Sequence, residues 1–284
     1  MPLNTNWLKY LWKERRPILL RQTFRMAALH RTPFRSLLEN ILRITEEYQA
    51  GFTFPIVASS ALRNPELIQL VLSFHQEVAS HGFYHVNYTY LSPDAQSTDI
   101  LRSILAFKSL KTVIRGFRAP YNVCTDQTPR LLEKFGFLWD GSFGFKPQYR
   151  ELSSFFRVEV DNHMSSFVCI PLYKWSDDRM IDVYGLDSTQ MAKILKRAMR
   201  QTKGKCGVIM FDLHPIRIGQ PKYNDLLKQV LAYGTELNGW FPTVTEAVEQ
   251  WFKHHEWKDG ASFCCLLTGD IDSLALLDYL RRLF

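Results

Sequence analysis

No apolar run in this 284-residue chain is long enough to cross a bilayer or to form the core of a secretory signal. The chain also has no low-complexity segment and no internal repeat. Its five cysteines lack the spacing of a zinc site, and their odd number argues against a disulfide framework. These absences together predict a cytoplasmic protein with reduced cysteines.

The composition is that of a globular protein, with 46% hydrophobic and 22% charged residues. Apolar runs alternate with amphipathic stretches, a pattern that predicts parallel strands joined by helical crossovers in an α/β barrel. The predicted strands are 22–28, 52–58, 77–80, 112–118, 138–141 and 207–213. The predicted helices are 32–48, 65–74, 94–109, 127–135, 188–201, 222–233 and 244–252. Shorter β-like pieces at 155–160 and 166–171 predict an insertion beside the barrel.

We predict one domain over 1–284, because barrels of this length commonly stay undivided. Its core would cover about 20–252, preceded by a basic segment at 1–19 and followed by a C-terminal extension at 253–284. The extension contains an apolar strand that ends at Thr268 and Gly269. The acidic residues Asp270 and Asp272 follow it, and either return carboxylates to a groove or begin a final helix. Capping of a helix is the favoured interpretation.

Two histidines stand four residues apart in the sequence His81-Gly-Phe-Tyr-His85. On a helical turn, residues at this spacing share a face, so both imidazoles could bind one divalent ion. The motif alone is weak evidence, because two histidines at a loop-to-helix junction would read the same way.

Further motifs make a metal site the better interpretation. They are Arg115-Gly-Phe-Arg118-Ala-Pro120-Tyr121, the strand ending in Asp212-Leu-His214-Pro215, and a glutamate four residues before His81. With the histidine pair, their order and spacing resemble the polysaccharide deacetylase (NodB-homology) family, over about residues 23–251. The resemblance implies a distorted (β/α) barrel of that family's type. It also implies a hydrolase that removes the acyl group from an N-acylated sugar and uses a divalent metal, with zinc as the expected ion.

The resemblance fails at the family's first motif, a strand that ends in two aspartates. One of them serves as a metal ligand and the other as the catalytic base. Here Ala27 and Ala28 stand at those places, and Asp94 is the first aspartate of the chain. Two functions therefore remain open. The chain is either a hydrolase with an altered site, which we favour narrowly, or a catalytically inactive barrel that binds a glycan or a partner protein.

The resemblance assigns the catalytic roles by position. His214 matches the general acid, Arg118 the partner of the missing base, and the backbone amide of Tyr121 the oxyanion site. Asp212 shares a strand face with His214 by two-residue alternation. It is therefore a candidate substitute base or orienting group, and a salt bridge between Asp212 and Arg118 is an equally good interpretation.

The remaining candidates complete the predicted groove. His81 and His85 are the metal ligands, and His30 could add a third nitrogen, although a solvated position before the following helix is favoured for it. Pro120 and Asp140 are candidates for substrate binding.

The net charge of +7 predicts an anionic partner. A carbohydrate substrate that is acidic or lipid-linked fits this charge. The aromatic and basic segment 1–19 could contact a membrane surface, and no nucleic-acid-binding module is recognised.

Overall fold

The computed structural model describes residues 27–29, 31–149 and 153–276. Parallel strands form a central sheet whose faces are covered by helices. The strands are β1 (Thr53–Ile56), β2 (Glu77–Ser80), β3 (Gly116–Phe117), β4 (Trp139–Asp140), β5 (Glu159–Val160), β6 (His163–Met164), β7 (Val168–Cys169), β8 (Val208–Asp212), β9 (Gly239–Trp240) and β10 (Phe263–Thr268). The helices are α1 (Phe34–Glu47), α2 (Ala58–Arg63), α3 (Pro65–Ser73), α4 (Pro93–Ser109), α5 (Gln127–Lys134), α6 (Ser188–Lys203), α7 (Pro215–Ile218), α8 (Asn224–Glu236) and α9 (Val244–His254).

The main sheet has the strand order β7-β4-β3-β2-β1-β10-β8, with β9 beside β10. Its two ends meet, because Leu172 just after β7 forms a parallel bridge to Met210 of β8. The amide of Tyr173 also donates to the carbonyl of Met210 at 2.9 Å. The predicted α/β barrel is therefore confirmed, as a curled parallel sheet. Of the strands in the described part of the chain, only the hairpin of β5 and β6 lies outside it.

The helices form where an apolar stripe can pack on the sheet. In α1 the buried residues recur at helical spacing, with Leu37, Leu38, Ile41 and Leu42 all 1% exposed or less. Side-chain capping boxes define the first turns of α6 and α9. Among the described helices, none combines the length and apolarity that crossing a bilayer requires.

The strongly periodic elements lie close to their predicted bounds, but several strands are shorter. The predicted strand 112–118 keeps only Gly116 and Phe117 in the ladder. The segment 166–171 was predicted to belong to an insertion, but β7 pairs with β4 inside the main sheet. The predicted first strand, 22–28, is wrong where the structure describes it: Ala27, Ala28 and Leu29 are helical. Residues 22–26 lie outside the described part.

The C-terminal strand β10 lies in the middle of the sheet, although the sequence placed it in an extension beyond the barrel core. It pairs with β8 along five residues and with β1 at Thr268 and Thr53, both in parallel. All six of its residues are buried. The extent of one domain over 1–284 stays a prediction, since both ends of the chain lie outside the described residues.

Glu77 joins four elements at the end of the barrel where the strands begin. Its carboxylate accepts hydrogen bonds from the hydroxyl of Thr53, the indole of Trp139, and both the amide and the hydroxyl of Thr245. Replacing Glu77 would remove the acceptor of Thr53 and Thr245 in a largely buried place, whereas the indole of Trp139 would keep the Thr245 hydroxyl as an acceptor.

We expect Glu77→Ala to lower the free energy of unfolding by about 2–4 kcal/mol, measured by urea denaturation. The control is Glu249→Ala on the exposed side of α9, where the change should stay within about 0.5 kcal/mol. Equal stabilities for the two variants would contradict a structural role for Glu77.

Candidate active site

Two histidines and one aspartate converge at the edge where the parallel strands end. His81 directly follows β2, and His85 lies in the same loop. The Nε2 atoms of His81 and His85 lie 3.4 and 3.2 Å from Oδ1 of Asp272. The two histidines were predicted to share a helical turn, but residues 81–87 form a non-helical loop, and this loop brings the imidazoles together.

His81 is oriented for metal binding by a backbone contact. Its Nδ1 lies 2.8 Å from the carbonyl oxygen of Arg118, which can only accept, so Nδ1 carries the proton. Nε2 then presents its lone pair toward Asp272. Within the described residues this buried nitrogen makes no hydrogen bond. A histidine fixed in this way by its other nitrogen is the usual arrangement of a metal ligand, so the residues present fit a divalent ion.

Asp99 of α4 holds the loop that carries both histidines. Its carboxylate accepts from the amides of Phe83 and Tyr84 at 2.9 and 3.1 Å and from the hydroxyl of Tyr88 at 2.9 Å. Gly82 has φ +75°, and a Cβ there would lie 2.9 Å from Asp99 Oδ2. The loop can therefore close over Asp99 only with glycine at this position.

We expect Asp99→Ala to weaken binding of Zn²⁺ by about 10–100-fold, because groups that orient metal ligands typically contribute that much. Calorimetric titration of the metal-free protein measures it. Asp94→Ala is the matched control, since Asp94 lies exposed on the same helix. Unchanged affinity in Asp99→Ala would show that the loop keeps its shape without the carboxylate.

Asp270 and Asp272 reach this edge because the chain continues as an extended strand past β10. The amide of Ile271 donates to Pro55 and its carbonyl accepts from Val57, so Ile271 faces the core while its two neighbours face the groove. At Gly269 a Cβ would lie 2.1 Å from the carbonyl oxygen of Leu213. This close approach allows only glycine between the strand and its two aspartates. The favoured interpretation of the tail as a helix cap is therefore wrong for Asp270 and Asp272.

Arg118 is fully buried and binds two carboxylates. Its Nη1 donates to Oδ1 of Asp270 at 2.9 Å and to Oδ1 of Asp212 at 3.2 Å. Its Nη2 donates to the hydroxyl of Thr268 at 2.8 Å. Burial alone would lower the pKa of Arg118, but Asp270 and Asp212 outweigh it and raise that pKa. Arg118, for which Ala27 and Ala28 supply no carboxylate, is thus paired with Asp212 of β8 and with Asp270 after β10.

Asp212 lies between Arg118 and His214. The geometry is therefore compatible both with a salt bridge to Arg118 and with a role as a base or as an orienting group for His214. Its Oδ1 is 4.0 Å from Nδ1 of His214. Burial raises the pKa of Asp212 to about 7, with the charge of Asp270 adding to the rise and His214 and Arg118 opposing it.

His214 has a second partner, Asp177, which the sequence did not identify. Nδ1 of His214 donates to Oδ1 of Asp177 at 2.6 Å, and Asp177 is fully buried. Burial alone would lower the pKa of His214, but the charges of Asp212 and Asp177 raise it well above its usual value. The available sequence signal was Trp175-Ser-Asp177-Asp178, an aromatic and acidic stretch just after a strand.

Of the other predicted site residues in the described part of the chain, Tyr121 is exposed, whereas Pro120 and Asp140 are buried. Tyr121 is about half exposed, adopts φ 62°, and places its ring 4.4 Å from that of His85. Pro120 is buried. Asp140 is also fully buried, and its oxygens accept from the amides of Ser142 and Phe143 and from the Ser142 hydroxyl. Pro120 and Asp140 were predicted to contact substrate, but burial gives them supporting positions instead. His30 lies outside the described residues.

Comparison with known sequences gives two matches. The sequence model for polysaccharide deacetylases matches residues 26–138. A peptidoglycan deacetylase-like protein of Gibberella zeae is 38% identical over 93 residues, which are 32% of this chain and 27% of that protein. The match therefore spans about a quarter of that relative's length.

Solved structures with a similar fold include proteins with different described functions. A probable polysaccharide deacetylase from Pseudomonas aeruginosa superposes with a TM-score of 0.69 at 22% identity, over 83% of this chain and 79% of that one. The PuuE allantoinase gives 0.71 at 20% identity, over 83% and 78%. A CE4 family pseudoenzyme from Bacillus anthracis gives 0.52 at 17% identity, over 75% and 61%. At these identities the structures show a shared fold.

Proposed function

We propose that this chain, which matches the polysaccharide deacetylase model over residues 26–138, is a metal-dependent hydrolase that removes the acyl group from an N-acylated sugar. One observation carries the proposal. His81, His85 and Asp272 offer three ligand atoms within 4.8 Å of one another, directly beside Asp270 paired with Arg118. Three protein ligands with room for a further one are typical of catalytic zinc, and zinc is our candidate ion.

The position of each side chain suggests its role. Asp270 keeps one oxygen on Arg118, and its other oxygen lies 3.6 Å from Nε2 of His81. It would take a proton from the attacking water. His214, held by Asp177, would donate a proton to the amine nitrogen that leaves. A bound divalent ion supplies polarisation of the acyl carbonyl and a lower pKa for water. The reaction consumes one water and yields a carboxylate and an amine.

The proposals for the substrate and for the cellular location are those made from the sequence. An acidic or lipid-linked carbohydrate remains the proposed substrate, on the basis of the net charge of +7. A cytoplasmic location stays a prediction. So does contact of 1–19 with a membrane surface, since that segment lies outside the described residues.

The proposal is tested by metal binding and acetate release in parallel. We expect the chelator-treated protein to bind one Zn²⁺, and His85→Ala to weaken binding at least about 100-fold, because a direct ligand is lost. His254→Ala, an exposed histidine at the end of α9, is the control.

Acetate release is then measured on chitotetraose with the zinc-loaded protein. Release that His85→Ala abolishes supports the hydrolase. Tight metal and glycan binding without any acetate would favour the alternative, an inactive barrel that binds a glycan.

A further inference from the structure

The exposed tyrosines of the described residues are concentrated at one edge of the barrel. Tyr84, Tyr90, Tyr121 and Tyr184 are between 48% and 59% exposed. Each lies in a loop that follows a strand of the main sheet, so all belong to the edge that carries the candidate active site. Burying a tyrosine ring is favourable, so four exposed rings at one edge of the sheet indicate a surface that stacks on a ligand.

Two of these tyrosines, Tyr84 and Tyr184, each lie close to the guanidinium of an arginine. The guanidinium of Arg102 lies 4.0 Å from the ring centre of Phe83 and 5.2 Å from that of Tyr84. The guanidinium of Arg179 lies 5.5 Å from Trp175 and 5.8 Å from Tyr184. Neither arginine forms a salt bridge with a carboxylate among the residues that the structure describes. Arg102 interacts electrostatically with Asp99, and Nη1 of Arg179 donates to the carbonyl of Lys174. Each guanidinium keeps further donors for an anionic group held against the rings.

The two aromatic-arginine clusters flank the proposed reaction centre. Tyr84 directly precedes the ligand His85, and Trp175 stands two residues before Asp177, the partner of His214. Arg179 begins a π-helical turn, Arg179–Val183, a local geometry that is often found at functional sites. One cluster thus lies on the metal side of the groove and the other on the His214 side.

We propose that this groove binds an extended acidic sugar chain, whose rings stack on the tyrosines and whose anionic groups pair with Arg102 and Arg179. The inference rests on the proposed function for the position of the N-acyl group. The charge preference itself depends only on the two clusters. It would make an N-acetylated chain with regularly spaced negative charges a better ligand than a neutral chain of equal length.

The test compares two hexasaccharides by calorimetry on zinc-loaded protein carrying Asp270→Asn, which keeps the acyl groups in place. Hyaluronan hexasaccharide is the acidic probe and chitohexaose the neutral one, and both contain N-acetylglucosamine. We expect the acidic probe to bind at least about tenfold more tightly. Arg102→Gln and Arg179→Gln should each weaken its binding roughly tenfold and change binding of the neutral probe less than about twofold.

Arg130→Gln is the matched control, because Arg130 is an exposed arginine of α5 paired with Asp161. Equal affinities for the two sugars would overturn the proposal, as would an acidic-sugar affinity that Arg102→Gln and Arg179→Gln leave unchanged. The proposed function would fail in a different measurement. If it is wrong, the wild-type protein releases no acetate from either sugar, whichever of the two it binds more tightly.

Discussion

We expect Asp270→Asn to lower the rate of acetate release by about 10²–10⁴-fold while the affinity for Zn²⁺ changes little. Asparagine has the size of aspartate but cannot accept the proton of the attacking water. The three ligand atoms of His81, His85 and Asp272 stay in place, so metal binding should be preserved. Single-turnover acetate release and calorimetric zinc titration on the same preparation measure the two quantities.

Asp212→Asn is the matched control for this prediction. Both aspartates bind the same nitrogen of Arg118, and both are buried at this edge of the sheet. The difference is that Oδ2 of Asp270 faces His81, whereas Asp212 lies on the His214 side. We expect the smaller loss for Asp212→Asn. A larger loss for Asp212→Asn than for Asp270→Asn would identify Asp212 as the base.

Asp270 and Asp212 differ in how well their positions could be predicted from the sequence. Its motifs singled out His81, His85, Arg118 and His214, and the structure brings these residues to one edge, because each follows a strand and parallel strands end at one edge. They offered Asp212 as a partner of Arg118, but they could not show that Asp270 also binds it. The apolar run Phe263–Thr268 predicts a buried strand, but such a run does not indicate which strands lie beside it in the sheet. β10 pairs with β1 across more than two hundred residues of chain. The spacing of motifs along the sequence therefore misplaced it.

Irregular segments were the second source of error. The interaction between Asp177 and His214 joins a loop to the end of β8, and no periodicity marks a loop position as buried. The loop of His81 and His85 was misassigned for a related reason. A spacing of four suits a helix, but Asp99 and the positive φ of Gly82 hold these residues in a different turn. Tertiary contacts decided both conformations.

The pH dependence of the reaction should depend on Asp177. A general acid works only while it is protonated, so activity falls as the pH rises through the pKa of His214. Burial of His214 favours its neutral form, and the carboxylates of Asp212 and Asp177 more than reverse that effect. Asp177→Asn removes one of these negative charges and weakens the short hydrogen bond that Nδ1 of His214 donates. We therefore expect the alkaline limb of the rate profile to move to lower pH and the maximal rate to fall by about 10²–10⁴-fold.

Asp178→Asn separates charge from orientation in this prediction. Asp178 is next in the chain and also interacts electrostatically with His214, but its Oδ1 accepts from the hydroxyl of Ser176. Removing its charge should shift the alkaline limb in the same direction by a smaller amount and leave the maximal rate within about tenfold. Imidazole ¹⁵N resonances followed against pH report the pKa of His214 directly. If Asp177→Asn shifts that pKa but leaves the alkaline limb unchanged, His214 is not the acid, because activity would then not follow the proton that His214 carries. If neither changes, Asp177 does not control the proton of His214.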